Sequence, residues 1–150
     1  MSEHRGIWRA KRKDNGEWVT GYYVRLNGKA HRIYSGFAEI DCGGYYPSCY
    51  TIDPSTLGEC SYIPDKNDTI IFEGDIVEYD NRICEIKYIE WLAMFDMEPV
   101  GGKRYEEPTL SKIISPDMLV IGNIHDNPEL LRATGEDIGN AANETMLPAT

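Results

Sequence analysis

The stretch Asp65-Lys66-Asn67-Asp68-Thr69-Ile70-Ile71-Phe72-Glu73-Gly74-Asp75-Ile76-Val77-Glu78-Tyr79 decides how this chain is read. A polar turn opens it, an apolar strand follows, and Glu73-Gly74-Asp75 makes a tight corner before a second strand. Gly74 takes positive φ without a steric penalty, and Asp75 can hydrogen-bond to nearby backbone. The strand Ile76–Tyr79 then meets Asp80-Asn81, two turn-prone residues, and Arg82–Tyr88 returns. A strand, a two-residue loop and a strand predict a hairpin. A strongly bent hairpin entered through Gly-Asp-Ile-Val is one way in which small SH3-like barrels begin, so a barrel is expected from Asp75 onward.

Working outward toward the N-terminus, residues 6–35 read as a β-meander. Asp14-Asn15-Gly16 and Asn27-Gly28 are hairpin turns. Between them Glu17–Leu26 is rich in aromatic and β-branched residues, and the lone Gly21 predicts a bulge or a close backbone approach. Residues 36–52, rich in Gly and Tyr, read as irregular. Asp53-Pro54-Ser55-Thr56 carries a helix-start pattern, with Asp53 as N-cap and Pro54 in the first turn. Toward the C-terminus, Ile89–Met97 reads as strand with a turn, 98–108 as a loop and Thr109–Ile114 as a strand. Met118–Ile121 is apolar enough for a buried strand. Asn127-Pro128-Glu129-Leu130-Leu131 repeats the cap pattern and predicts a short helix ending near Gly135, followed by a frayed tail.

The expected fold is therefore α+β and mostly β. Residues 1–72 form an N-terminal β-meander subdomain with short helices, 73–135 an SH3-like barrel, and 136–150 the tail.

Composition excludes several classes. The 150 residues are 41% hydrophobic, with no apolar run of membrane-span length and no signal-peptide core after Met1. A cytoplasmic location without membrane contact is expected. Cys42, Cys49, Cys60 and Cys84 include no Cys-x-x-Cys pair and no zinc-ligand spacing with His. They read as reduced thiols, although Cys42 and Cys49 flank a loop that could bring them together. The net charge is −10, unevenly spread. Residues 1–35 carry eight basic and three acidic side chains, a net of +5, which leaves −15 on the other 115. Such asymmetry points to an electrostatic contact with nucleic acid or with an acidic protein surface, including a second copy of the chain.

Three segments in order resemble a known family: Arg12-Lys13-Asp14-Asn15-Gly16-Glu17-Trp18-Val19-Thr20-Gly21-Tyr22-Tyr23; Asp53–Gly58 with Asp65-Lys66-Asn67 and Glu73–Val77; and Ile121-Gly122-Asn123-Ile124-His125-Asp126-Asn127-Pro128-Glu129-Leu130-Leu131. Together they resemble the YopX-like proteins of bacteriophages and prophages over about residues 5–131. The resemblance implies an α+β N-terminal part followed by an SH3-like barrel, and no catalytic residues. Two positions depart from the family pattern: Cys60 replaces a usual aromatic, and Tyr62 stands where glycine is common.

Candidate sites are weighed on their chemistry. Asp65, Asp68, Glu73 and Asp75 lack the alternating ligand pattern of a calcium loop and read as a solvated turn, so no metal is expected. His125-Asp126 near Glu129 lacks a nucleophile motif, so no catalytic residue and no cofactor are expected. Trp8, Trp18, Tyr22 and Tyr23, interleaved with basic residues, offer a candidate interaction surface of Arg9, Lys11, Arg12, Lys13, Arg25 and Tyr23. Glu73, Gly74 and Asp75 are structural turn residues. The leading expectation is a non-enzymatic phage or prophage accessory protein that binds a host or phage protein. Nucleic-acid binding through the basic N-terminal sheet is the alternative. A homo-oligomer is also expected, held by apolar surface such as Tyr45, Tyr46 or Trp91 and set in register by the opposite charges.

Overall fold

The structure, a computed structural model, describes residues 6–40, 43–101 and 110–132. Expectations for Cys42, for most of the 98–108 loop, for Thr109, for Gly135 and for the tail fall outside these residues. So do those for the side chains of Tyr45 and Tyr46. The chain divides into two units, 1–60 and 61–150.

The first unit contains β1 (Ile7–Arg12), β2 (Trp18–Leu26), β3 (Ala30–Ile40) and β4, which runs from Gly44 into the second unit and ends at Pro64. All pairings are antiparallel: β1 with β2 (Ala10 opposite Val19), β2 with β3 (Tyr23 opposite Ile33) and β3 with β4 (Ile33 opposite Tyr50). The later part of β4 pairs back onto β1, with Trp8 opposite Glu59 and Arg12 opposite Ile52. That pairing closes four strands into a ring, which removes the free edges of an open sheet. Ala10, Ile33 and Ile52 fill the ring as fully buried residues, with Trp8, Val19, Tyr23, Tyr50 and Leu57 packed around them.

The Gly- and Tyr-rich segment expected to be irregular is the β3–β4 hairpin. Its glycines sit at a register shift between Tyr34 and Gly36 and at the chain reversal. The helix expected at Asp53 is replaced by a bulge. Arg9 pairs with Gly58 and Lys11 with Asp53, so three extra residues of β4 loop out. Asp53 Oδ1 does accept the Ser55 N–H at 3.0 Å, but this Asx turn starts no helix. Instead Thr56 Oγ1 donates to the Asp53 carbonyl at 2.7 Å and accepts the Lys11 N–H at 2.8 Å, which ties the bulge to β1. The first unit thus has no helix among its described residues, and the fold is mostly β.

The second unit holds a four-stranded antiparallel sheet in the order β8-β7-β6-β9: β6 is Asp75–Tyr79, β7 Arg82–Ile89, β8 Met94–Pro99 and β9 Leu119–Asn123. A short β5 (Ile70–Phe72) pairs with β4. The expected hairpin is present: Tyr79 pairs with Arg82, and Asp80 and Asn81 both have positive φ, 51° and 57°. That is the backbone a two-residue type I′ loop requires. The core is Ile71, Val77, Cys84, Ile86, Met97, Leu110 and Met118. Ile71 belongs to it, which explains why the boundary falls at 60/61 rather than at the expected 72/73. Leu110–Ile114 leads through turns into a 3-10 turn at Ser115–Asp117 and is not a strand. At Pro128–Leu131 a 3-10 turn stands in place of the expected helix, because the Asn127 side chain does not cap it. Asn127 Oδ1 accepts the Asn123 N–H at 3.2 Å instead.

Candidate interaction surface

Alternation along the strands assigns each side chain of the ring to its inner or outer wall. Trp8, Ala10, Val19, Tyr23, Ile33 and Tyr50 face inward. Ile7, Arg9 and Lys11 of β1, Trp18, Thr20 and Tyr22 of β2, and Arg32 and Tyr34 of β3 therefore face outward.

This register splits the expected surface. Arg9 and Lys11 share the outer wall, and both lie over the Trp18 ring, at 4.9 and 5.4 Å from its centroid. Tyr23 belongs to the inner wall, where its hydroxyl lies 2.6 Å from His31 Nδ1 and its ring 5.8 Å from Trp8. Arg12 and Arg25 sit at strand ends on opposite rims. Arg12 stacks on Tyr50 at 4.3 Å, and its Nε donates to Asp14 Oδ1 at 2.9 Å. That hydrogen bond is the main reason the Asp14 carboxyl is held below its ordinary range. Arg25 turns back on its own hairpin, donating to the Gly28 carbonyl from Nε at 3.2 Å and from Nη2 at 2.9 Å. Lys13 is exposed in the β1–β2 turn. The six residues are thus distributed over two walls and two rims, and no single surface contains them.

The outer wall carries a feature that the sequence reading missed. Ile7, Tyr22, Tyr34 and Pro47 line a groove of about 370 Å³, with the buried Gly21 and the exposed Gly36 also in its lining. Tyr22 and Tyr34 are cross-strand partners, and Tyr22 is 52% exposed. Gly21 is required by close approach: a Cβ there would lie 2.2 Å from the Tyr34 carbonyl oxygen. The signal available in the sequence was the period-two spacing of Ile7, Arg9 and Lys11 against Trp18, Thr20 and Tyr22 across Asp14-Asn15-Gly16. That register already places them on one wall.

In the second unit the acidic residues divide by role. Asp65 is 4% exposed, so it is not part of a solvated turn. Its Oδ1 accepts the Asn67 and Thr69 N–H groups at 2.8 and 2.9 Å, and its Oδ2 accepts the Val120 N–H at 2.9 Å. Burial would raise its pKa, but these three hydrogen bonds and the neighbouring Lys66 outweigh it and hold the carboxyl below its ordinary range. Asp75 is buried, and its Oδ2 accepts the Phe72 N–H at 2.8 Å across the corner. Gly74 has φ +85°, its N–H bonds to the Ile86 carbonyl at 2.8 Å, and its carbonyl accepts the Ile124 N–H at 2.9 Å. Near His125, Asn123 Oδ1 accepts the N–H groups of His125 and Asp126, and Asn123 Nδ2 donates to Asp126 Oδ2 at 3.0 Å. These residues build a turn. Among the described residues no cluster of three or more His, Cys, Asp or Glu converges as a metal site, and no helix is long and apolar enough to cross a membrane.

No curated protein matches the chain. The family model described as YopX protein matches residues 7–132, which takes in the closed ring, the 65–75 corner and the four-stranded sheet. With most of its length matched, the chain belongs to the YopX protein family.

Proposed function

We propose that this YopX protein is a non-enzymatic accessory protein of a bacteriophage or prophage that acts in the bacterial cytoplasm by binding another protein. The observation that supports this reading is the outer groove of the first unit. It combines apolar walls, an accessible tyrosine and the exposed backbone of Gly36. Tyrosines in such slots are the usual anchors of protein interfaces, because they bury a large apolar ring and keep a polar tip. The test is capture of a partner at physiological salt by the wild-type chain and by Tyr22→Ala. A nuclease-resistant partner lost on substitution supports the reading; a wild-type chain that retains no protein, or one indifferent to Tyr22, refutes it.

Nucleic-acid binding is the second reading, favoured by Arg9 and Lys11 over Trp18 on the outer wall. Two facts count against it. Arg12 and Arg25 are committed to internal partners. The first unit also carries eight basic but seven acidic residues, a net of +1, once residues 36–60 are included. Backbone-directed binding needs a surplus of cations facing phosphate. Retention of single-stranded DNA or RNA at physiological salt, lost in Arg9→Ala/Lys11→Ala, would reverse this preference.

A further inference from the structure

We infer that Trp91 of one copy of this chain docks in the Ile7–Tyr22–Tyr34–Pro47 groove of a second copy, so that copies associate head to tail. This rests on reading the groove as a protein-docking site, and it names the partner. Trp91 is 82% exposed, in the middle of the 3-10 turn Glu90–Leu92. The turn is held closed on both sides. Ile89 pairs with Met94, and Ala93 sits at φ 50° with its N–H bonded to the Glu90 carbonyl. A left-handed alanine is a disfavoured conformation, and here it fixes the loop that presents the indole. Leu92, beside it, is 43% exposed. A tryptophan carried on a rigid tip loses little conformational freedom on binding and is the side chain most enriched at interface hot spots.

The surface that fits this knob is an apolar slot with flat walls and nearby cations. The outer groove has those properties. Tyr22 and Tyr34 form aromatic walls, Ile7 and Pro47 extend them, and Gly36, exposed and without a side chain, leaves room beside them. Its volume lies in the range of pockets that enclose small molecules, so an indole can enter. Arg9, opposite Thr20 and stacked on Trp18, and Arg32, opposite Val24, hold neighbouring positions on that outer wall. Glu90 precedes the tryptophan and would face them.

Charge selects the orientation. Residues 61–150, which carry the knob, hold seven basic and eighteen acidic side chains, a net of −11, against +1 for residues 1–60. Two knob-bearing units repel each other, whereas a knob-bearing unit and a groove-bearing unit do not. The contact is therefore heterologous: it joins two different surfaces and propagates to a ring or an open chain. A contact with one principal anchor lies at the small, weak end of interfaces, so self-association is expected at concentrations approaching about 100 µM.

The experiment is sedimentation velocity on the full chain from about 5 to 200 µM at physiological salt, with Trp91→Ala and Tyr22→Ala measured alone and mixed. Both residues are surface-exposed, and circular dichroism checks that both variants fold. The wild type should gain mass with concentration, and each variant should lose at least roughly tenfold in association. An equimolar mixture should recover a two-chain species, because Trp91→Ala keeps the groove and Tyr22→Ala keeps the knob. A wild type that stays monomeric throughout, association unchanged in Trp91→Ala, or a mixture that stays monomeric overturns the inference. A monomeric wild type that still captures a foreign protein through Tyr22 would overturn the inference and leave the proposed function standing.

Discussion

Asp65 Oδ2 accepts the backbone N–H of Val120 at 2.9 Å, joining residues 55 positions apart in the sequence. The neighbouring Lys66 N–H bonds to the Met118 carbonyl at 2.9 Å, so the 65–69 turn is fastened to the chain entering β9 at two points. Asp65 is buried, and three N–H donors hold its carboxyl below the ordinary range. Asp65→Asn should therefore cost roughly 1.5–3 kcal/mol, the range for hydrogen bonds to a charged group. The pH dependence follows from the lowered pKa. The stabilisation is complete above the ordinary aspartate value of 3.8 and fades as pH falls toward the lower folded value. Urea denaturation between about pH 5 and 2 should show a slope in the wild type that is reduced in Asp65→Asn. Equal slopes in the two proteins would remove Asp65 from the acid response.

Gly74 gives a second, separable measurement. A Cβ there would meet Ile124 at 3.6 Å, which is ordinary contact, so space is not the obstacle. The obstacle is φ +85°, where an L-residue is strained. Gly74→Val should destabilise by about 1–3 kcal/mol, and Gly74→Asn by less, since asparagine tolerates the left-handed region. Equal losses for Val and Asn would show that strain at φ is not the cause.

What was legible in the sequence was local backbone chemistry. Asp80-Asn81, Asn27-Gly28 and Asp14-Asn15-Gly16 were readable as turns because their preference for positive φ or for Asx bonding lies in the residues themselves. Asp53-Pro54-Ser55-Thr56 misled for the same reason. An Asx turn begins a helix and a bulge alike, and β1, some 40 positions away, decides between them through the Thr56–Lys11 bond. Asp65 looked like a surface turn residue because its third donor, Val120, lies far along the chain. The candidate surface was gathered by composition. The register that separates Arg9 and Lys11 from Tyr23 and Arg12 was implicit in period two, but the closure of β1 on β4 that makes one wall interior was not.

Tyr62 tests the departure from the family pattern. It has φ 59° within β4, at a position where the resemblance places glycine. The residue is half-buried, and a left-handed conformation strains it. Tyr62→Ala loses the ring and keeps the strain; Tyr62→Gly loses the ring and relieves it. The glycine variant should therefore be more stable than the alanine variant by about 1 kcal/mol in thermal or urea unfolding. An alanine variant as stable as glycine, or more so, would contradict a left-handed conformation at this position.

Thr56 concerns the bulge that closes the ring. Its hydroxyl is buried and used twice, accepting from Lys11 N–H and donating to the Asp53 carbonyl. Where the β1–β4 register breaks, this side chain replaces the backbone acceptor that a regular ladder would supply to Lys11. Thr56→Val keeps the shape and removes the acceptor, leaving a backbone donor inside the ring wall without its partner. The cost should be about 1–3 kcal/mol, the penalty for an unsatisfied buried group. Thr56→Ser keeps the hydroxyl and should lose less than about 1 kcal/mol. Stability alone would not separate this from poorer packing, so the diagnostic signal is the exchange rate of the Lys11 amide. It should rise in Thr56→Val by more than the change in global stability accounts for, and stay near the wild-type rate in Thr56→Ser. A Lys11 amide equally protected in all three proteins would mean that the Thr56 hydroxyl does not fasten the bulge to β1.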